Sequence, residues 1–307
     1  MTGAAADAVL AVDIGGTKVE FGLFDRLGVL VAHKRIPTPP GLPDAAIPPL
    51  LDEARRLSAG MHIEAVGIDL PAVVSEGVIA WAAWSFPGWD GCPLATRWAD
   101  AFAVPAILEF DGYAAALGEF WQGAARGFSD AVVVIVGTGV GAGVVHAGEL
   151  YRGATGVAGA IGWMRFPESA RLGVPMEEIA SGTAILRRAQ QAREAGAIPY
   201  GTTRDVFDAR DRGDPIAEMV IREAMVALAA GVGAIVSMLA PQVVVLGGSV
   251  GSRPDVVKEV RQLVLETAQP HTVQHVAIVP ARLGTRSSLY GAGYIAHTFL
   301  SQTKESR

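Results

Sequence analysis

One cysteine, Cys92, is all that the 307 residues hold. A lone thiol cannot close an intramolecular disulfide or build a thiolate-rich metal cage. That excludes a disulfide-stapled scaffold and a cysteine-based zinc site, and it fits a reducing compartment. Cations are also short, 25 Lys and Arg against 31 Asp and Glu, for a net charge of −6. Nucleic acid and anionic membrane surfaces demand clustered Lys and Arg, so neither is expected as a partner. The first eight residues lack the basic start and small-residue cleavage site of a signal peptide, and a cytoplasmic protein is expected. The six histidines are scattered without ligand spacing and read as solvated or internally satisfied. Charge is missing altogether from residues 224–252, a run long enough to resemble a membrane span. Pro241 divides it. A helix-like run from about Pro215 precedes the proline, and Val243, Val244, Val245 and Leu246 follow as a strand that Gly247 and Gly248 end. A buried helix leading into a buried strand is the reading adopted.

Half of the residues are hydrophobic, enough for a substantial core in one large domain or two ordinary ones. An apolar run over residues 8–13 stops at Gly15-Gly16 and resumes as alternating residues 19–24, which predicts strand, tight turn, strand. A helix over 43–59, a strand over 65–70, a Trp-rich loop over 81–91, a short helix over 94–102, a strand over 107–109 and an Ala-rich helix over 112–125 follow. A second glycine hairpin then repeats the first, with residues 132–136 running into Gly137-Thr138-Gly139 and continuing through Gly143 to a turn at Gly148. Two such hairpins predict a duplicated architecture, two related α/β halves with a cleft between them. From Glu177 onward the pattern is mainly helical, broken by strands near 243–246 and 276–279, with a last helix after Gly291.

Glycine-rich turns expose backbone N–H groups with no side chain in the way, so they accept phosphate oxygens at close range. Asp13-Ile14-Gly15-Gly16-Thr17-Lys18 suits that use, with Thr17 adding a hydroxyl. Asp13, at the strand end, is placed to hold Mg2+ through water, because magnesium takes one or two carboxylates together with waters and substrate phosphates. Read blandly, Gly15 and Gly16 only turn the chain and Asp13 caps the turn.

The chain resembles the sugar-kinase members of the ROK family (repressors, open reading frames, kinases) over nearly its whole length. The resemblance rests on Asp13-Ile14-Gly15-Gly16-Thr17-Lys18, on Phe86-Pro87-Gly88-Trp89-Asp90, and on Asp111 followed by Ala114-Ala115-Ala116-Leu117-Gly118-Glu119. Gly137-Thr138-Gly139-Val140-Gly141 with Gly148 and Leu150-Tyr151-Arg152-Gly153 match too, as do Glu177 with Ala180-Ser181-Gly182, Leu246-Gly247-Gly248 and Gly291-Ala292. It implies an α/β, two-domain actin-like ATPase (ribonuclease H-like) fold with duplicated mixed sheets flanked by helices. The smaller domain would hold residues 1–112 and 291–307, and the larger one 113–290. It further implies ATP and Mg2+, a homodimer, and Asp111 as the catalytic base that accepts the hydroxyl proton. Phosphate contacts fall to Gly15, Gly16, Thr17 and Lys18 and to Gly137, Thr138 and Gly139, while Gly247 and Gly248 let the nucleoside lie against backbone. For Asp111 alone the plain alternative is a helix N-cap.

The acceptor pocket departs from the family. Where Asn precedes the catalytic Asp, this chain has Phe110, and where Glu and His face the sugar it has Ala160 and Trp163 in Gly159-Ala160-Ile161-Gly162-Trp163. Glu177 is retained, the second proline-glycine pair reads Pro71-Ala72, and Asp69 stands just before it. Asp69, Ala72, Phe110, Asp111, Ala160, Trp163 and Glu177 are therefore the expected acceptor-lining set. The family's zinc ligands are missing, so no structural zinc is expected. Apolar surface in place of hydrogen-bonding groups would leave the hydroxyls of a plain hexose unpaired. A modified or amino sugar, or a sugar-like cyclitol of secondary metabolism such as antibiotic biosynthesis, is the expected acceptor, with Asp69, Glu109 and Glu177 available to an amine. Ordinary glucose and a non-catalytic ATP-binding sensor are the alternatives. A sugar-responsive repressor is disfavoured, because the first strand is expected by about Ala8, leaving no DNA-binding segment before it. Trp81, Trp84 and Trp89 read first as a core beneath a long loop and second as a stacking surface.

Overall fold

The computed structural model describes residues 7–82, 86–166, 173–193 and 200–305. Backbone contacts divide the chain into two units, one of residues 1–123, 153–157 and 286–307, the other of 124–152 and 158–285.

In the first unit, β1 (Asp7–Ile14), β2 (Lys18–Asp25) and β3 (Leu30–Pro37) form an antiparallel meander. Helix α1 (Pro43–Leu57) leads to β4 (His62–Leu70), the small hairpin β5 (Ala72–Ser75) and β6 (Val78–Ala82), helix α2 (Leu94–Phe102), β7 (Ala106–Phe110) and α3 (Asp111–Gln122). The sheet order is β3-β2-β1-β4-β7, and β1, β4 and β7 are mutually parallel. Both faces are covered. Leu10, Val12, Ile14, Ile68 and Leu70 pack with α1 and α2, around the buried Trp89 and Trp98. Val9, Ala11, Phe24 and Ala65 pack on the last helix, α11 (Ser287–Glu305).

Close backbone approach fixes α11 in this unit. A Cβ on Gly67 would lie 1.9 Å from the carbonyl oxygen of Ala292, one on Gly118 2.0 Å from that of Ser287, and one on Gly291 1.7 Å from that of Ala114. The glycines let α3, α11 and β4 meet backbone to backbone. Consequently α3 belongs with the first unit, whereas a division at residue 112 would have assigned it to the second; the boundary falls after Gly123. Helix α11 also begins at Ser287, one turn earlier than expected.

The second unit repeats the topology. Its meander is β8 (Ala131–Val136), β9 (Val140–His146) and β10 (Glu149–Tyr151), and its sheet order β10-β9-β8-β11-β12 copies the first. Helices α4 (Glu177–Ala180), α5 (Gly182–Ala192), α6 (Thr203–Asp211) and α7 (Pro215–Leu239) precede β11 (Val243–Gly247), and α8 (Gly248–Gly251), α9 (Pro254–Thr267) and α10 (Pro270–Val273) precede β12 (Ala277–Pro280). The starts are chemically marked. Thr202 and Asp205 form a reciprocal capping box on α6, and Asp214 accepts from the N–H groups of Ile216 and Ala217 ahead of α7. Helix α7 is long and apolar enough to cross a membrane, but its residues from Val220 to Val236 are the centre of this unit's core. The duplication and the buried-helix reading both hold.

Trp89 is a core residue, its indole N–H donating to the carbonyl of Gly41 at 3.2 Å and its ring edge-on to Phe86. Trp81 is exposed, and Trp84 lies outside the described residues.

The tight glycine contacts generate a prediction. Gly291→Ala forces a Cβ into the Ala114 carbonyl, so it is expected to destabilise the chain by about 3 kcal/mol or more, whereas Gly141→Ala, in open space and outside the left-handed region, costs about 1 kcal/mol or less. Chemical denaturation with linear extrapolation checks both.

Candidate phosphoryl-transfer site

Register across the first sheet produces the site. Arg35 pairs with Glu20, Glu20 with Asp13, Asp13 with Asp69, and Asp69 with Glu109, so one row crossing β3, β2, β1, β4 and β7 carries five ionisable side chains on one face. Asp111 follows immediately, at the head of α3, with Phe110 as the N-cap residue and Ser288 donating to the Asp111 carbonyl. In-register side chains on adjacent parallel strands are near neighbours, so carboxyl groups in such a row repel unless neutralised.

Burial sharpens the effect. It pushes the Asp111 carboxyl up to about 6, opposed by the N–H of Gly112. Burial raises Asp13 to about 7, with Asp111 adding to the shift and Lys18 opposing it. Asp69 is wholly buried, and burial followed by the charges of Asp13 and Asp111 holds its carboxyl well above the usual range. Neither oxygen of Asp69 meets an N–H or hydroxyl donor; its polar neighbour is the carboxyl of Asp13, a contact that binds when one of the two acids keeps its proton. Asp69 was expected to face the acceptor, but here it has no exposed oxygen. Ala72 is likewise buried, at the start of β5.

The turn beside this row is compact. The N–H of Gly15 donates to the Lys18 carbonyl at 2.9 Å, and the Thr38 hydroxyl donates to the Gly15 carbonyl at 2.5 Å. Gly16 and Thr17 are exposed at its tip. Thr38 and Glu20 escaped the sequence reading; alternation of Lys18 and Glu20 on one strand face was the available signal for the latter. For Mg2+ the donor set fits. Among the described residues no group of three or more His, Cys, Asp or Glu is placed to hold a metal. The ion, however, takes only one or two carboxylates, and here they adjoin a glycine turn with Asp69's oxygens lacking donors.

In the second unit, Gly137, Thr138 and Gly139 form the turn between β8 and β9, tied down by its neighbours. The Gly182 N–H donates to the Gly137 carbonyl at 2.7 Å and the Thr183 hydroxyl to the Thr138 carbonyl at 2.9 Å. Gly248, at φ +80°, abuts Val136, where a Cβ would lie 2.4 Å from its carbonyl oxygen. The structure thus gathers Gly137, Thr138, Gly139, Gly247 and Gly248 at the C-terminal ends of the neighbouring strands β8 and β11. Glu177, expected to contact the acceptor, spends Oε2 on the N–H of Val140 at 2.8 Å. Ala160 and Trp163 flank a short 3-10 turn, both exposed, with Trp163 66% accessible. Phe110 sits edge-on to Tyr113 in the first unit.

Two α/β units of matching topology, each with a glycine turn after its first strand, define an actin-like ATPase fold. Residues 9–299 match the ROK family, and the chain belongs to it. It is 30% identical over 315 residues to a glucokinase of Halalkalibacterium halodurans, covering 93% of this chain and 94% of that one. It is 31% identical over 295 residues to an N-acetylmannosamine kinase of Shigella boydii, covering 94% and 97%. Among solved structures, a ROK glucokinase from Streptomyces griseus in complex with glucose and AMPPNP superposes with a TM-score of 0.79 at 26% identity, covering 95% of this chain and 99% of that one.

A pH-dependent stability follows from Asp111. Its folded value, about 6, lies above the ordinary 3.8, so the unfolded chain ionises first and stability falls as pH rises through about 6. Asp111→Asn, which carries no such charge, is expected to raise the melting temperature over the parent at pH 7.5 and to lose most of that advantage at pH 4.5, as read by thermal unfolding.

Proposed function

We propose that the chain is an ATP-dependent kinase that phosphorylates a hydroxyl of a modified or amino sugar or of a sugar-like cyclitol, with Asp111 as the base. One observation carries the reading: a buried carboxyl with its value near 6 stands at a helix head beside Asp13 and a glycine turn. A general base works best with a value near the working pH, and at neutral pH Asp111 is ionised and able to accept the hydroxyl proton. The turn that Gly15 closes, with the Gly16 backbone, Thr17 and Lys18, binds donor phosphates, and Gly137, Thr138, Gly139, Gly247 and Gly248 bind the rest of the nucleotide. Asp13 holds Mg2+ through water, and the ion, when bound, neutralises phosphate charge. Phe110, Ala160 and Trp163 offer apolar surface in place of hydrogen bonds. That disfavours an acceptor that needs every hydroxyl paired and supports a modified ring. Glu177 completes the acceptor's surroundings in this reading, and a cytoplasmic homodimer accompanies it.

The glucokinase relative favours a second reading in which an ordinary hexose is accepted, whereas the N-acetylmannosamine kinase relative, whose name is that of an amino-sugar kinase, supports the first. A coupled ADP-release assay with ATP and Mg2+ against hexoses, amino sugars and cyclitols separates the readings. Turnover is expected with one modified class and poorly with glucose. Asp111→Asn is expected to lose turnover by about 100-fold or more while binding ATP as the parent does. Full activity in that variant removes the base assignment, and ATP binding without turnover of any acceptor makes the chain a non-catalytic sensor.

A further inference from the structure

Glu20 is a wholly buried carboxylate that no role assigned above explains. It faces the same side of the sheet as Asp13, its partner in register. Three basic side chains converge on it. Its Oε1 accepts from Lys18 Nζ and forms an ion pair with Arg35 at 2.7 Å, and its Oε2 lies 2.9 Å from His33 Nε2. Burial would raise the carboxyl, but the hydrogen bonds from Lys18 and His33, together with the Lys18 and Arg35 charges, hold it below the ordinary value. The group is therefore an ion, and both oxygens are engaged.

The arrangement is asymmetric in exposure. The side chain of Lys18 is 35% accessible and that of Arg35 52%, while Glu20 is at 0%. A buried anion with one cation would hold it immovably, because withdrawing that cation would strand the charge. With Arg35 and His33 also in place, Lys18 can be shared with an incoming anion without leaving Glu20 bare. Lys18 closes the glycine turn, its carbonyl accepting from the Gly15 N–H.

We propose that Glu20 is a positioning residue of the phosphate turn: it aims the Lys18 ammonium at the donor phosphates, and Arg35 and His33 brace it so that Lys18 can be shared with them. The inference rests on the kinase reading and deepens its donor site. Lys18 is a point charge on a long flexible stem, and without a fixed partner most of its rotamers point elsewhere. Glu20 restricts that freedom before nucleotide arrives, so less ordering remains to be done on binding.

The test is a double-variant cycle on the full chain with Lys18→Ala, Glu20→Gln and the two combined. ATP affinity is read by calorimetry without acceptor, KM for ATP and kcat come from the ADP-release assay, and melting temperature is recorded alongside. Glu20→Gln is expected to weaken ATP binding and raise KM for ATP about 10-fold with a smaller change in kcat, the scale of one charge-assisted hydrogen bond. The combined variant is expected to bind ATP no worse than Lys18→Ala alone, since Glu20 acts through Lys18. Glu20→Asp, which keeps the charge, is expected to recover part of the affinity. Additive losses in the cycle, or an unchanged ATP affinity in Glu20→Gln, overturn the proposal while leaving the kinase reading intact. If Glu20→Gln fails to fold, Arg35→Gln serves instead: it removes the brace, and it too is expected to weaken ATP binding only when Lys18 is present. A parent chain that binds no ATP overturns both readings.

Discussion

Carboxyl groups crowded on neighbouring strand ends are the constraint on which the first unit depends. Asp13, Asp69 and Glu109 stand in register, and Asp111 begins the next helix. Buried like charges at strand spacing cannot all ionise at ordinary values, so the surroundings must divide the protons among them. Lys18 lowers Asp13, the Gly112 N–H lowers Asp111, and nothing comparable lowers Asp69. The result is an Asp111 carboxyl at about 6, an Asp13 carboxyl at about 7 and an Asp69 carboxyl held well above the usual range. Such a strip is costly for folding, and the close-packed glycine contacts of α3, α11 and β4 on the same face hold it in place.

Helix placement follows from the same demand. Asp111 heads α3, and α3 is fixed on α11 by close backbone contact at Gly118 and Gly291 together with the packing of Trp121 on Tyr294 and His297. Gly118 and Gly291 thus set the position of the α3 head through packing. This also explains why the final helix of the chain returns to the first unit.

Much of the fold was legible because glycine turns and alternating strands write themselves locally. The first hairpin, the second hairpin, the helix at 94–102 and the division of the uncharged run at Pro241 all depend on neighbours within a few residues. What stayed hidden depends on pairing between distant strands. That Asp69 would lie beside Asp13 follows from β4 crossing over to pair with β1, and no local pattern announces it. The convergence of Lys18, His33 and Arg35 on Glu20 needs the β2–β3 register in the same way. Trp89 and Trp163 show the limit of residue type: one indole is core and the other is open to solvent, on loops of comparable composition.

Comparing equivalent positions of the two sheets shows what the duplication has done. Asp13 stands two residues before Gly15 and pairs with Asp69; Ile135 stands two residues before Gly137 and pairs with Gly247. Where the first sheet continues to Glu20 on the meander side, the second continues from Ile135 to Gly141. The row that is ionic in one unit is apolar and nearly bare of side chains in the other. A Cβ on Gly247 would lie 2.6 Å from the Ile135 side chain and 3.4 Å from Ala281, so a carboxylate there would have no room. The same topology thus carries an ionic row in one unit and an apolar row in the other. The hairpin turns are the feature both units share, each closed by its first glycine: the Gly15 N–H donates to the Lys18 carbonyl and the Gly137 N–H to the Gly139 carbonyl.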